Sequence, residues 1–321
     1  TDPLQGNLLK ENQHIGVIGG GPAGLRAAEV AITGGARVTV YDAMPSVGRK
    51  FLVAGKSGLN LTHEEDWEQF LNRYRGDNLP EEHWREILSQ FDNNALREWA
   101  AELGIDTFVA SSGKVFPKPV NGTIKAAPLL RRWVEKLRTL GVEFRTRHRW
   151  TEIDTDGHAT FETGMGVQSI RHDATVLALG GASWPETGST GRWTTILEDR
   201  GIQISPLVAA NCGWEVDWPT PVLEESEGLP LKNLELSALS SRRRGELIIT
   251  RYGLEGGPLY HLGPDLRKMS RPEIRIDFKP DFSEKDLVLR LGKVHRNFVR
   301  EARRKWKLDP AVASLLLSLI H

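Results

Sequence analysis

Cysteine is almost missing from this sequence, because only Cys212 occurs among its 321 residues. One cysteine cannot form a disulfide within the chain, a C-x-x-C redox pair or a thiolate metal cluster, so all three are excluded. Its neighbours, Asn211 and Gly213, favour a small packed residue over a nucleophile. The low cysteine content indicates a reducing compartment, and we expect the protein to be cytoplasmic.

Long apolar segments are also lacking. The longest, "AVASLLLSLI" from Ala311, is too short to cross a bilayer, and "TDPLQGNLLKENQ" has no signal-peptide core. We therefore expect no membrane association.

Neither sign of charge is in excess. The 42 lysines and arginines balance 42 aspartates and glutamates, so net charge indicates no particular partner. The nine histidines show no H-x-x-H or H-E-x-x-H spacing, and the sequence predicts no metal site. The sequence also gives no oligomeric state.

Glycine, in contrast, is plentiful, and Gly19, Gly21 and Gly24 form a G-x-G-x-x-G pattern. The apolar run 15–18 before it predicts a buried strand, and residues 22–33 after it predict a helix. In this context the first glycine permits a tight turn, the second admits a pyrophosphate, and the third lets helix and strand pack closely. The free N–H groups of the helix would face the phosphates.

The second predicted strand, 38–41, completes a βαβ unit of a doubly wound α/β sheet and is followed by Asp42. Its carboxylate is placed to accept hydrogen bonds from a ribose diol and would repel a 2′-phosphate. The sequence therefore predicts a dinucleotide site.

A resident flavin is favoured over a nicotinamide. None of the four tyrosines begins a Tyr-x-x-x-Lys motif, and the nearest second fingerprint, at Gly164 and Gly166, lacks its third glycine. The segment 48–63 predicts an irregular glycine-bearing loop, which suits a position over the pyrophosphate and ribityl chain.

The rest of the chain differs in predicted secondary structure from one part to the next. Residues 66–104 predict helices, with Asp92 as the N-cap of the last; residues 123–140 predict another helix, and 174–181 a buried strand. Proline-rich segments and short strands then indicate a β-rich part. The basic stretch 291–308 predicts one helix whose apolar stripe is Leu287, Leu291, Val294, Phe298, Ala302 and Trp306. A solvated helix is favoured over a nucleic-acid helix, which stays open as an alternative.

Further segments carry recognisable motifs. They are Gly48-Arg49-Lys50 followed by Asn60-Leu61-Thr62, "GKVFPKP" from Gly113, "LALGGASWPETGSTG" from Leu177 and "ITRYGLEGGPLY" from Ile249. With the glycine fingerprint, they resemble the HI0933-like (YhiN/BaiN-type) flavoprotein family, in order, from about Ile15 to Tyr260.

The resemblance implies a glutathione-reductase-like FAD-binding Rossmann domain with an inserted β-rich domain and a small helical domain. We expect the FAD domain over 12–204, with a helical excursion over 64–104, the β-rich domain over 205–282 and the helical segment over 283–321. The family's C-terminal return to the FAD domain is expected to be absent, which would weaken flavin binding.

The resemblance also implies the cofactor contacts. The pyrophosphate would be bound by Gly19, Gly21, Pro22, Ala23 and Gly24. The ribose would be bound by Asp42, beside Ala43, and the adenine by the backbone of Trp150. The flavin side of the cofactor would be lined by Arg49, Lys50, Asn60 and Leu61, and the pocket would be closed by Ala178, Gly180 and Gly181.

Two departures from the family pattern predict altered substrate contacts. Gly58 and Leu59 replace the family's arginine and cysteine, and Lys56 is a new cation. Arg251 stands where the family has histidine.

The resemblance implies an FAD-dependent oxidoreductase that transfers hydride or electrons between a small organic substrate and the flavin. An unsaturated ketone and an amine are both compatible, and NAD(P)H would bind only transiently. Lys50, Arg49 or Lys56 would stabilise reduced flavin, with Lys50 and Lys56 the catalytic candidates, and His63 could assist proton transfer. The alternative is a flavin- or nucleotide-binding protein that acts on RNA or as a non-catalytic subunit.

Overall fold

The glycine fingerprint follows a parallel strand and opens a helix, as the sequence predicts. The computed structural model describes residues 12–54, 58–74, 80–294 and 296–318. Two compact units divide between Leu207 and Val208. No helix among the described residues is long and apolar enough to span a membrane.

The first unit contains ten strands and seven α-helices within the described residues. The strands are β1 (His14–Ile18), β2 (Arg37–Asp42), β3 (Thr62–His63), β4 (Thr107–Val109), β5 (Lys114–Pro117), β6 (Glu143–Thr146), β7 (Arg149–Ile153), β8 (His158–Thr163), β9 (Gly166–Arg171) and β10 (Ala174–Leu177). The helices are α1 (Pro22–Thr33), α2 (Arg49–Ala54), α3 (Trp67–Leu71), α4 (Glu81–Ser89), α5 (Asn93–Glu102), α6 (Ala127–Thr139) and α7 (Trp193–Glu198).

A four-stranded parallel sheet in the order β10-β1-β2-β6 carries the βαβ unit. The helix α1 has the predicted bounds, because Pro22 suits a first helical turn and Gly34 ends the last one. Two antiparallel sheets, β3-β5-β4 and β7-β8-β9, accompany it. The α/β class and the Rossmann arrangement are therefore confirmed.

Three predictions for this unit are wrong in detail. The loop predicted over 48–63 contains α2, a short helix that the glycines around it concealed. The helix predicted over 123–140 begins only at Ala127, since Pro128 fits a helix start and Val120 pairs with Thr123 in a bridge. The strand at 174–177 is mostly exposed, because β10 is an edge strand of the described sheet.

The second unit is built on an antiparallel sheet in the order β11-β14-β13-β12-β15. Its strands are β11 (Trp214–Glu215), β12 (Pro230–Ala238), β13 (Ser241–Thr250), β14 (Gly253–Glu255) and β15 (Arg275–Asp277), and its helices are α8 (Thr220–Ser226), α9 (Gly257–Arg267), α10 (Glu284–Leu291), α11 (Phe298–Trp306) and α12 (Pro310–Ser318). Leucines of the β12–β13 hairpin, α9 and α12 share one core, so sheet and helices are packed together.

The single basic helix predicted over 291–308 is wrong, because the chain leaves helical geometry at Gly292, whose φ is +60°. The stripe is divided between α10 and α11, and Trp306 Nε1 of α11 donates to Leu287 O of α10 at 2.8 Å. Arg300, Arg303 and Arg304 are exposed, as expected for a solvated face.

A buried carboxylate holds α1, α5 and α6 together. Glu29 is only 3% exposed, and its oxygens accept hydrogen bonds from Trp99 Nε1 and Trp133 Nε1, each at 3.0 Å. Lys136 Nζ at 2.8 Å and Arg26 at 3.1 Å complete its surroundings. Burial alone would raise the pKa of Glu29, but Lys136 and the other donors outweigh it and hold the pKa below its ordinary value.

We expect Glu29→Ala to lower the free energy of unfolding by about 3 kcal/mol, because two indole N–H groups and a lysine lose their buried acceptor. Urea unfolding followed by tryptophan fluorescence measures it. The matched control is Glu98→Ala, at an exposed position of α5, with an expected loss of at most about 0.5 kcal/mol. Equal losses in the two variants would contradict a structural role for Glu29.

A second buried polar group, the imidazole of His172, contacts Tyr41 of β2. His172 is 6% exposed, its Nε2 shares a hydrogen bond of 2.9 Å with the Tyr41 hydroxyl, and Tyr41 stacks on Phe161. Burial lowers the pKa of His172 to about 4, and the charges of His14 and Arg145 act in the same direction. The imidazole is therefore neutral in the folded protein.

The free energy of unfolding should fall as the pH is lowered from about 7 to 5. Unfolded His172 takes up a proton below its ordinary pKa of 6.5, whereas the folded protein resists protonation until about pH 4. His172 should account for about 2 kcal/mol of this loss. His172→Gln keeps a partner for Tyr41 without titrating and should remove that part of the slope in urea unfolding, whereas the exposed control His83→Gln should retain it. An unchanged slope in His172→Gln would refute the assignment.

Candidate functional site

A cavity of about 620 Å³ opens at the carboxyl ends of β1 and β2, next to the glycine turn. Ligands of doubly wound sheets bind at this edge. Eleven of the fifteen residues predicted to bind the cofactor line the cavity: Gly19, Gly21, Pro22, Ala23, Asp42, Ala43, Arg49, Lys50, Trp150, Ala178 and Gly180.

The three fingerprint glycines have the geometry that their predicted roles require. Gly19 has φ +110°, and a Cβ there would lie 2.2 Å from Ala178 O. A Cβ on Gly24 would lie 1.8 Å from Gly19 O, so Gly24 stands behind the turn and allows the close packing of α1 rather than lining the cavity. A Cβ on Gly21 would meet nothing within 4 Å, which leaves an open approach to the main chain.

The start of α1 presents donors to this open face. Gly21 is the N-cap residue, and no side chain makes a capping hydrogen bond there. The first-turn amides of a helix have no partner within it, and the helix dipole adds a partial positive charge. A phosphate group matches both features.

Asp42 joins the glycine turn to the end of β2. Its Oδ2 accepts the N–H of Gly20 at 2.9 Å, and its Oδ1 accepts the N–H of Met44 at 2.8 Å. Burial raises the pKa of Asp42, while these two N–H groups and the charge of Arg49 oppose the rise. Each oxygen has a further lone pair, so the carboxylate can also accept a ligand hydroxyl.

Arg49 and Lys50 begin α2 and place two cations on the cavity wall. Arg49 Nε is buried and has no hydrogen-bond partner among the described residues. A buried N–H without an acceptor carries a large desolvation cost, which an anionic or hydroxyl ligand would relieve. Lys50 Nζ donates to Ser183 Oγ at 3.3 Å.

Part of the cavity wall comes from the "GGASWPETGSTG" segment and the residues that follow it. Trp193 Nε1 donates to Gly180 O at 2.9 Å, and Ser189 Oγ donates to Gly181 O. Gly181 itself does not line the cavity, although its neighbour Gly180 does.

Sequence reasoning missed several lining residues. His148 lies in the turn before β7, Arg149 lies in β7, and Glu162 lies in β8. Arg149 is paired with Glu162 in the register of these two strands. Arg192 and Trp193 follow the glycine-rich segment. Only the high glycine content of the segment that precedes them could have indicated Arg192 and Trp193. The other three residues reach the cavity because β7 and β8 pair in a sheet.

Other predicted residues are not brought to the cavity. Leu61 pairs with β5 through its N–H to Val115 O at 2.9 Å, and the adjacent Asn60 is exposed. Leu59, at the family's cysteine position, is buried in the core. His63 Nε2 hydrogen-bonds Ser112 O at 2.9 Å, away from the lining residues. Lys56 lies outside the described residues.

The residues present fit a dinucleotide. The open face at Gly21, the acceptors of Asp42 and the unpartnered Arg49 Nε match a diphosphate joined to a ribose. No group of three or more His, Cys, Asp and Glu residues in the described ranges could hold a metal ion.

Comparisons with known proteins extend this picture. The 3-dehydro-bile acid delta(4,6)-reductase of Clostridium scindens is 28% identical over 278 residues, which cover 83% of this chain and 64% of that protein. The chain thus spans just under two thirds of that relative's length.

Solved structures give weaker likenesses. A 3-ketosteroid-delta4-(5alpha)-dehydrogenase from Rhodococcus jostii RHA1 has a TM-score of 0.40 and 17% identity over 54% of this chain and 47% of that chain. The open conformation of a flavocytochrome c3 fumarate reductase has a TM-score of 0.42 and 19% identity over 59% and 40%. Likeness at this level supports no assignment.

The family described as "HI0933-like protein Rossmann domain" matches residues 13–284, which include the fingerprint, Asp42 and the "GGASWPETGSTG" segment. The chain therefore belongs to the HI0933-like family, as its motifs predict.

Proposed function

We propose that this protein is an FAD-dependent oxidoreductase that transfers hydride or electrons between a small organic substrate and its flavin. The observation that carries the proposal is the cradle at the end of β1 and β2, where an open glycine face, a carboxylate and an unpartnered arginine N–H surround one cavity. Family membership and a reductase relative support it.

Each residue of the cradle would bind a different part of FAD. Amides at Gly21 and Ala23 would bind the diphosphate, Asp42 would accept hydroxyls of the adenosine ribose, and Arg49 Nε would donate to a phosphate or ribityl oxygen. When bound, FAD supplies the hydride and electron chemistry, and the protein supplies position and charge. Lys50 would hold positive charge beside the ring and stabilise its anionic reduced form.

An unsaturated ketone is the favoured substrate class. The Clostridium scindens relative is named as a reductase of a 3-dehydro bile acid, which supports a ketone over an amine. A nicotinamide donor, if used, would bind transiently, and a cytoplasmic location belongs to the same proposal. The Clostridium scindens relative is named as a reductase and gives the RNA alternative no support.

Titration of the purified chain with FAD tests the proposal, with visible absorbance and quenching of flavin fluorescence as the readouts. We expect flavin bands that a reductant bleaches and an unsaturated ketone restores. A chain that leaves added FAD unaltered would refute it.

Arg49→Met should raise the Kd for FAD about tenfold, because it removes the donor that lacks a partner in the protein. Folding should be little affected for the same reason. Arg131→Met, at an exposed position of α6, is the control and should bind FAD as the unaltered protein does. Equal Kd values for Arg49→Met and the unaltered protein would contradict the role of Arg49.

A further inference from the structure

The part of the cavity beside β7 and β8 contains three polar side chains to which the proposed function gives no role. They belong to His148, Arg149 and Glu162. The main-chain N–H of His148 donates to Asp42 O at 2.9 Å, so this part adjoins the residue that we propose binds the ribose. In a nucleotide the base and the diphosphate are attached to opposite ends of the ribose. With the diphosphate at the glycine turn, the base would therefore extend past Asp42 towards β7 and β8.

A hydrogen bond determines which ring nitrogen of His148 is available to a ligand. Nδ1 lies 2.8 Å from Thr146 O, and a carbonyl oxygen can only accept, so Nδ1 carries the hydrogen. In the neutral imidazole Nε2 is therefore a hydrogen-bond acceptor. This atom has no hydrogen-bond partner among the residues that the structure describes, and it is not one of the unpartnered atoms that are buried. A ligand in the cavity can use this acceptor.

The ring of His148 is held in place by its aromatic neighbours. Its centroid lies 5.9 Å from that of Tyr41 and 6.0 Å from that of Phe161, whose ring it meets edge to face. Tyr41 and Phe161 are themselves fully buried and stacked on each other. Because Nδ1 is bonded and two fixed rings lie against the imidazole, Nε2 is an acceptor in a defined position.

Other groups in this part of the cavity match the remaining features of a base. The Glu162 carboxylate is exposed and accepts hydrogen bonds, whereas Arg149, its cross-strand partner, only donates them. Trp193 and Ile196 of α7 add apolar surface, since both line the cavity and pack against the cluster that contains Trp150. The flat faces of a base suit the apolar surface, its amino group suits the acceptors, and a ring nitrogen suits the arginine.

An acceptor at His148 distinguishes purines by the group at position 6. The 6-amino group of adenine is a donor, so Nε2 can bind it. The 6-oxo group of guanine or hypoxanthine is itself an acceptor, and its lone pairs would face the lone pair of Nε2. An oxopurine would thus leave the imidazole nitrogen without a partner at a cost in binding free energy.

We propose that His148 is a specificity-determining residue that selects a 6-amino purine at this end of the cavity, with Glu162 as a second acceptor. The ligand class is an adenosine diphosphate group, either free or as half of a dinucleotide. This inference rests on the proposed function, which sets the position of the ribose. It adds a preference among bases that the glycine turn and Asp42 do not supply, because they would meet only the diphosphate and the ribose.

The test compares ADP with inosine 5′-diphosphate, its 6-oxo counterpart, by calorimetric titration of the full chain freed of flavin. The unaltered protein should bind ADP about tenfold more tightly. His148→Phe keeps an aromatic ring against Tyr41 and Phe161 but has no acceptor, so the two Kd values should come within about twofold of each other. Glu162→Gln retains His148 and should give an intermediate ratio of about threefold.

The ratio of the two Kd values separates base selection from a structural role. A variant that only disturbs the fold would weaken both nucleotides alike, whereas loss of the acceptor weakens ADP alone. His158→Phe is the matched control, because His158 lies in β8 of the same sheet and does not line the cavity; it should retain the tenfold ratio of the unaltered protein. Binding of neither nucleotide, equal binding of both by the unaltered protein, or an unchanged ratio in His148→Phe would overturn the proposal.

The failures of the two proposals are distinguishable. A chain that binds FAD with bands that a reductant bleaches, but binds ADP and inosine 5′-diphosphate equally, overturns the role of His148 and leaves the cofactor assignment intact. A preference for ADP that His148→Phe abolishes, in a chain that leaves added FAD unaltered, supports base selection and refutes the proposed function.

Discussion

The candidate site depends on one pair of hydrogen bonds, in which the Asp42 carboxylate accepts the N–H groups of Gly20 and Met44. The first bond ties the glycine turn to the end of the neighbouring strand, and the second fixes the chain as it leaves that strand. Because both oxygens accept a main-chain N–H, the carboxylate is held in one orientation at the wall of the cavity. The same residue therefore shapes the glycine turn and is the one that we propose binds the ribose.

Local sequence signals predicted the βαβ unit closely. The bounds of α1 follow from Pro22 and Gly34, whose effects on the backbone act within one or two residues. The exposure of β10 could not be found in this way, because an apolar run reads the same at the centre and at the edge of a sheet. The break at Gly292 was likewise hidden, since an apolar stripe continues in register across it.

Site residues that are close together in the sequence could be predicted. Site residues that the pairing of strands brings to the cavity could not. The glycine turn, Asp42 and the start of α2 are consecutive features of one segment, and all contribute to the cavity. His148 and Glu162 reach the same cavity only through the β7–β8 sheet, whose position no local pattern specifies. Asn60 and Leu61 illustrate the converse. Both match the motif, but Leu61 pairs with Val115 of β5, Asn60 is exposed, and neither residue lines the cavity.

Two charged groups show how burial separates structural from functional roles. Glu29 accepts hydrogen bonds from two indoles and pairs with Lys136, so the protein itself satisfies its charge and the group holds three helices together. Arg49 has a buried Nε–H for which the described protein supplies no acceptor. A folded chain tolerates such a donor at a cost, and a ligand that supplies the acceptor recovers it on binding. Buried atoms without a partner among the described residues also occur away from the cavity, at His172 Nδ1 and Ser226 Oγ. Arg49 supports the proposed site because the residue that carries the unpartnered atom also lines the cavity.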